Sequence, residues 1–266
     1  MDILKIISSI TLFIFISLIL FIILSIVMNI SFINFISAIS SDEVLFAIKL
    51  SIFTSIISII IGSLIGVPSG YYLARNNFKG KNIIDSLIEL PIILPPLISG
   101  FALLIFFGNM PIGQFISKYI VDIIFNPVGI IVAQFFVSVP YIIKTSKSIF
   151  EKISVKYEYM ALSLGLNNIE CFYKIVLPMA KQGILTGIIL AWSRAIGEFG
   201  ATLMLAGATK MKTETLPIAV YLNISIGNID LALTISFIFL LIGIFIIFTV
   251  KKLLKYNNSI GGDSYE

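Results

Sequence analysis

Apolar residues run without a charge through five stretches of the chain: Ile6–Met28, Leu50–Leu73, Leu90–Phe107, Ile123–Ile143 and Leu231–Val250. A sixth, about Gly183–Ala208, is apolar except for Arg194 and Glu198. Strands of a membrane barrel would alternate apolar and polar residues over roughly 10-residue segments. These runs do not alternate, and at ~1.5 Å per residue each reaches across a hydrocarbon core of about 30 Å, the third and fourth only just. The pattern predicts an all-α integral membrane protein with six transmembrane helices.

Interruptions within the runs refine the picture. Pro91, Pro95 and Pro96 in the third span and Pro140 in the fourth predict kinked or partly broken helices. Gly62, Gly66 and Gly70 in the second form two overlapping small-xxx-small patterns, which predict close helix packing.

Charge then sets the orientation. Placing the N-terminus in the cytoplasm puts Lys5, Arg75, Lys79, Lys81, Lys144, Lys147, Lys152, Lys156, Lys174, Lys181, Lys251, Lys252 and Lys255 on that side. The outer loops keep Lys118, Lys210 and Lys212, with Lys49 at a span edge. That asymmetry predicts both termini to be cytoplasmic. Residues 1–255 form one six-helix domain, and the polar tail 256–266 reads as disordered.

Composition agrees: 58% of the 266 residues are hydrophobic and 12% charged, about half the charge of a soluble domain. Mean hydropathy is +1.08. The net charge of +4 is accounted for by membrane topology rather than by nucleic acid. One cysteine, Cys171, and no histidine exclude disulfides, Cys/His metal sites, haem ligation and histidine acid–base chemistry. The first apolar run is too long for a signal-peptide core and lacks a small-residue cleavage site. The triplets Asn29-Ile-Ser31 and Asn223-Ile-Ser225 match a glycosylation acceptor by chance in an asparagine-rich chain.

One loop is long. From about Lys144 to Gln182 the chain reads as two short amphipathic helices split at Leu164–Asn168, the second stopping before Pro178. Gly165 suits a left-handed cap, and Asn167 or Asn168 a new helix start. Met160, Ala161 and Leu164 form an apolar stripe while Lys156 and Glu158 point elsewhere. Such a segment either lies on the lipid surface or docks a cytoplasmic partner.

Arg194 and Glu198 are the other departure. Either residue at mid-bilayer costs ~2.5–3.5 kcal/mol on insertion scales, so such groups face the bundle interior and pair. Spacing i,i+4 places both on one helix face, about 6 Å apart along the axis. Among 18 basic residues only Arg75 and Arg194 are arginine, so arginine at mid-helix points to a use for its planar fork. Gly197 and Gly200 bracket Glu198 and allow a second helix close. Two roles compete: a structural brace, or a transient positive site moderated by Glu198, with Ser193 and Thr202 as neutral donors.

The long loop resembles the EAA motif of ATP-binding-cassette importer permeases: Ala161, then Gly165, Phe172 seven residues on, and Leu177-Pro178. "EYMA" stands where "EEAA" is common, Tyr159 and Met160 replacing a glutamate and an alanine, with Glu158 retained. "RAIGEFGATLMLAG" with "KTETLPIAVYLNI", "LPIILPPLISGFALLIFFGNMPIG" and "GIIVAQFFVSVPYIIKTSKSIFE" are similar to the molybdate/tungstate permeases of that family. Sulfate permeases share the "GEFG" core.

The resemblance implies a type I importer permease fold, a homodimer, two cytoplasmic ATP-binding-cassette subunits seated on the loop, and an extracytoplasmic oxyanion-binding protein. It places ATP and Mg in the ATPase subunits, which agrees with the lack of a Gly-rich Lys-Ser/Thr phosphate loop in this chain. The chain would be non-catalytic. An ion-coupled secondary transporter is the rival reading, though spans one to three do not repeat in four to six. An intramembrane hydrolase lacks histidine, a Ser–Lys pair within a span and a metal cluster.

Overall fold

The computed structural model describes residues 2–30 and 32–261, and the described residues hold helices and no strand. In order these are α1 (Asp2–Met28), α2 (Phe32–Ile39), α3 (Asp42–Arg75), α4 (Lys81–Ile93), α5 (Pro96–Asn109), α6 (Pro111–Tyr119) and α7 (Pro127–Lys152). Then follow α8 (Lys156–Ser163), α9 (Asn168–Cys171), a π-helical turn (Phe172–Val176), α10 (Leu177–Ile196), α11 (Gly200–Ala206), α12 (Leu216–Ser225) and α13 (Ile229–Gly261). The expected tail is helical as far as Gly261. Residues 262–266, and Ser31 of the first acceptor triplet, lie outside the described residues.

Among the described residues, five segments are long and apolar enough to span a bilayer: Ile3–Met28, Asp42–Arg75, Pro127–Lys152, Asn168–Ile196 and Ile229–Phe248. A sixth exists only if α4 and α5 count as one, and these are bent by 111°. The third span expected at Leu90–Phe107 is therefore broken in the middle. The cause is the pair Pro95–Pro96: the first pushes Leu94 out of the helical region (ψ 133°), the second does the same to Pro95 (ψ 135°), and neither has an N–H to give. α5 alone, with 14 residues, is about 21 Å long and does not cross a 30 Å core. Pro91 and Pro140, by contrast, are carried inside α4 and α7.

The fifth span departs from expectation at both ends. It breaks after Ile196, so Gly183–Ala208 is not one helix. At its start the helix does not stop before Pro178 but runs through it. Leu177 N–H reaches back five residues to Phe172 O. This wide turn relieves the clash that a proline ring makes with the carbonyl four residues before it. Since α7 also continues to Lys152, the connecting loop shrinks to the residues between Lys152 and Leu177.

α7 is the hub, and glycines set how near its neighbours come. A Cβ on Gly62 would lie 2.9 Å from Val139 Cγ2, and one on Gly66 2.8 Å from Ile142 Cγ2. On Gly70 it would lie 2.6 Å from Ser146 Cβ and 2.9 Å from both Ile143 O and Lys147 N. The small-residue stripe does pack α3 directly on α7, as its spacing predicts. Gly183 and Gly187 bring α10 onto Ile149 and Thr145 of α7 in the same way. A further buried cluster joins Val44 and Ala47 of α3 to Leu216 and Ala219 of α12 and Ile235 of α13. α1 buries none of its described residues and presents Phe13, Phe21 and Leu20 outward, as lipid contact permits.

Gly70→Ala tests this approach. Overpacking against backbone that cannot yield should cost about 1–3 kcal/mol. The apparent Tm in detergent should drop by several degrees, while Gly243→Ala, with nothing within 4 Å of its added carbon, should leave it level or raise it.

Candidate functional site

The loop between α7 and α10 has the local structure its sequence predicts at the turn. Gly165 takes φ +92°, where a side chain would be strained. Asn167 caps α9: Glu170 N–H donates to Asn167 Oδ1 (2.8 Å), and Asn167 N–H to Glu170 Oε2 (3.1 Å). The faces of α8 are arranged differently from the expected stripe. Ala161 is buried with Phe150, Cys171, Val176, Ala180 and Ile184, whereas Met160 and Leu164 are exposed, Leu164 by 84%. Tyr159 is exposed beside them. Phe172 is half-buried against Tyr71 (ring centroids 4.7 Å) and Phe150 (6.0 Å), Leu177 is half-buried, and Pro178 is exposed.

Glu158 points inward. Its Oε1 meets Arg75 Nε at 2.5 Å and its Oε2 accepts from Tyr71 OH at 2.8 Å, with the carboxylate side chain only 12% exposed. Arg75 spends its other nitrogens on the backbone at the end of α7: Nη1 on Phe150 O (2.7 Å) and Nη2 on Ile153 O (3.0 Å). Its guanidinium also lies 5.8 Å from the centre of the Tyr71 ring. Sequence reasoning assigned Arg75 only to topology. The signal was present: it is one of two arginines in a chain that otherwise uses lysine.

Arg194 and Glu198 do form an ion pair (Nη1–Oε2 2.6 Å), but across a break rather than along a helix. Gly197 ends α10, and Glu198 sits in the gap before α11, 1% exposed. Its Oε1 accepts from Ala201 N–H in the first turn of α11 (2.7 Å), where a negative charge is favourable. One carboxylate thus ties the end of α10 to the start of α11. Oε2 holds Arg194 by charge, without a well-angled hydrogen bond. Gly200 is a close-approach site: an added Cβ would lie 2.9 Å from Leu97 N and from Pro96 Cβ, so α11 abuts the broken start of α5. Gly197 is not, since its nearest neighbours would be 3.5 and 3.8 Å away. Thr202 is buried with no hydrogen-bond partner for Oγ1, and Ser193 donates back to Ile189 O (3.0 Å).

Removing Arg194 alone strands a buried carboxylate. Arg194→Gln should therefore cost about 3–5 kcal/mol, and Glu198→Gln in the same chain should recover most of it, read from unfolding in detergent.

Beside the N-terminal end of α3, about 51 Å along its 34 residues from Arg75, the segment from Gly207 to Thr215 folds inward. Thr213, Glu214 and Thr215 are buried. Met211 N–H donates to Glu214 Oε2 (2.9 Å), Thr209 N–H to Thr213 Oγ1 (3.0 Å), and Thr213 Oγ1 to Gly207 O (3.2 Å). Lys210 pairs with Glu43, whose Oε1 also accepts from Asn223 Nδ2 (3.0 Å). Leu216 N–H donates to Ser51 Oγ (2.8 Å). Lys210, Glu43 and Glu214 are thus parts of one fastening.

Burial pushes the Glu214 carboxyl above its ordinary value, and the bond to Glu43 raises the Lys210 ammonium. A carboxyl whose folded pKa is raised stabilises the fold while protonated and loses that contribution as pH rises through the folded pKa. Wild-type protein should accordingly lose thermal stability relative to Glu214→Gln as pH rises from the ordinary carboxylate range, and the two should converge below that range.

Residues 62–255 match the family described as binding-protein-dependent transport system inner membrane component. A probable transport system permease of Clostridium pasteurianum is 40% identical over 177 residues, 65% of this chain. The match spans 62% of that relative, less than two thirds of its length. A probable molybdenum ABC transporter permease of Haloferax volcanii is 35% identical over 77% of this chain and 73% of its own. A sulfate transport system permease of Salmonella typhimurium is 28% identical over 81% and 78%. The crystal structure of a bacterial ABC transporter that imports the acidic polysaccharide alginate matches with a TM-score of 0.71, covering 85% of this chain and 84% of that one. At 14% identity it speaks for the fold.

Proposed function

Because the chain belongs to the family of binding-protein-dependent transport system inner membrane components, we propose that it forms the translocation pathway of an ATP-driven importer for molybdate or tungstate. Two copies would assemble with two cytoplasmic ATPase subunits and an extracytoplasmic oxyanion-binding protein. The observation that carries the reading is the α8–α9 loop. It is held rigidly from inside through Glu158 and Ala161 while Tyr159, Met160, Leu164, Ile169 and Tyr173 stay exposed. In a polar environment those side chains favour cover, and a groove on a soluble ATPase supplies it. The basic-residue bias supports the same loop, and both termini, lying in the cytoplasm.

Metalate is favoured over sulfate by the 35% identity to the Haloferax relative against 28% to the sulfate permease. ATP binding would close the ATPases, draw the two loops together and open the pathway outward. Arg194 and Glu198 act at the α10–α11 break as a brace that keeps the two helices in fixed relation in one gate state. Glu198 also prevents Arg194 from holding a dianion too tightly for release.

The test is the assembled complex in proteoliposomes with each oxyanion supplied on its binding protein. ATPase stimulation and uptake with molybdate or tungstate but not sulfate is the expected result. Stimulation by sulfate alone transfers the chain to the sulfate group. A stable complex with no coupling to any ATPase overturns the importer reading in favour of an ion-coupled transporter.

A further inference from the structure

The chain holds two arginines, and the one outside the gate is the more fully used. Arg75 ends α3, whose preceding turns from Gly62 to Gly70 are held close to α7 by the glycine stripe. Its three guanidinium nitrogens go to three partners in a fixed plane: the Glu158 carboxylate in α8, Phe150 O in the last turn of α7, and Ile153 O at the first loop residue. Tyr71, one turn back on α3, donates to the other oxygen of the same carboxylate and packs its ring on Phe150 and Phe172. The side chains of Arg75 and Glu158 are 11% and 12% exposed, so water screens this contact little.

We propose that Arg75 is the positioning residue that couples the α8–α9 loop to the membrane core, so that displacement of α8 moves the α3–α7 pair as one body. The inference rests on the importer reading above and adds to it the route by which force leaves the loop. The geometry favours transmission over simple attachment. The fork grips both the moving helix and the end of α7, and α3 and α7 cannot slide apart without pulling backbone past the glycine contacts. A lysine at this position keeps a positive charge for Glu158 but has no planar fork to span the two carbonyls as well.

The test compares wild type, Arg75→Lys and Tyr71→Phe by two measurements. Hydrogen exchange on the chain alone in detergent reads protection of residues 156–163. Transport per ATP hydrolysed reads coupling in the reconstituted four-subunit complex with its binding protein. Expected for Arg75→Lys are faster exchange in α8 and transport per ATP lower by about tenfold, within the usual range of a coupling between sites, with ATP hydrolysis retained. Tyr71→Phe, which removes one donor and keeps the fork, should fall between. Unchanged exchange overturns the anchoring, and unchanged transport per ATP, or hydrolysis and transport falling in proportion, overturns the coupling role. A wild-type complex that never couples counts against the importer reading, and the exchange measurement still decides whether Arg75 holds the loop.

Discussion

A hydrocarbon solvent offers no hydrogen bonds, so every backbone polar group in this chain must be satisfied from within. That one constraint accounts for the helical architecture and for where helicity is allowed to fail. The helix breaks at Leu94–Pro95 and Gly197–Phe199 lie against each other, α11 resting on the start of α5. There Glu198 supplies the acceptor that the first turn of α11 lacks. These two breaks are therefore gathered in one place and served by a buried charge.

With no hydrophobic difference between side chain and lipid tail, cohesion must come from close contact and polar ties. The glycines of α3 and α10 provide the first at α7. Ser51, Ser55 and Glu43 on α3 provide the second: Ser55 accepts from Trp192 Nε1 at 3.0 Å, Ser51 from Leu216 N–H, and Glu43 from Asn223. α3 is thus bonded along its length to α10 and α12, and at its last residue to the loop. Its two ends carry two ion-paired fastenings, Glu43–Lys210 and Arg75–Glu158.

Much of this was legible in sequence. Periodicity located the long spans, the Gly62–Gly66–Gly70 spacing located the tightest packing, and the Gly165 turn followed by an asparagine cap was readable from local chemistry. The failures have a common origin. Proline count predicted disturbance but not its site: Pro140 is carried within α7, whereas adjacent Pro95 and Pro96 reorient the chain. Spacing of four suggested that Arg194 and Glu198 share a helix face, yet the glycine between them ends the helix and the pair bridges the gap. Ala161 was grouped with Met160 and Leu164 because apolarity does not say which solvent a residue faces. The partners of Arg75 lie 75 to 83 residues away in sequence, a distance that local pattern cannot span.

The wide turn at Phe172–Val176 also settles a matter of phase. Buried positions proceed from Cys171 to Val176 in a step of five, then through Ala180, Ile184, Gly187, Ala191 and Ala195 in steps of three and four. A regular helix would have rotated the second set away from α7 by about 100° for the one surplus residue. The turn absorbs that residue, so a single continuous rod offers α9 to the loop core and α10 to the bundle on the same side. The fixed interval between Gly165 and Pro178 is therefore a count that includes a bulge. A chain one residue shorter there would reach the same alignment with an unbroken α-helix.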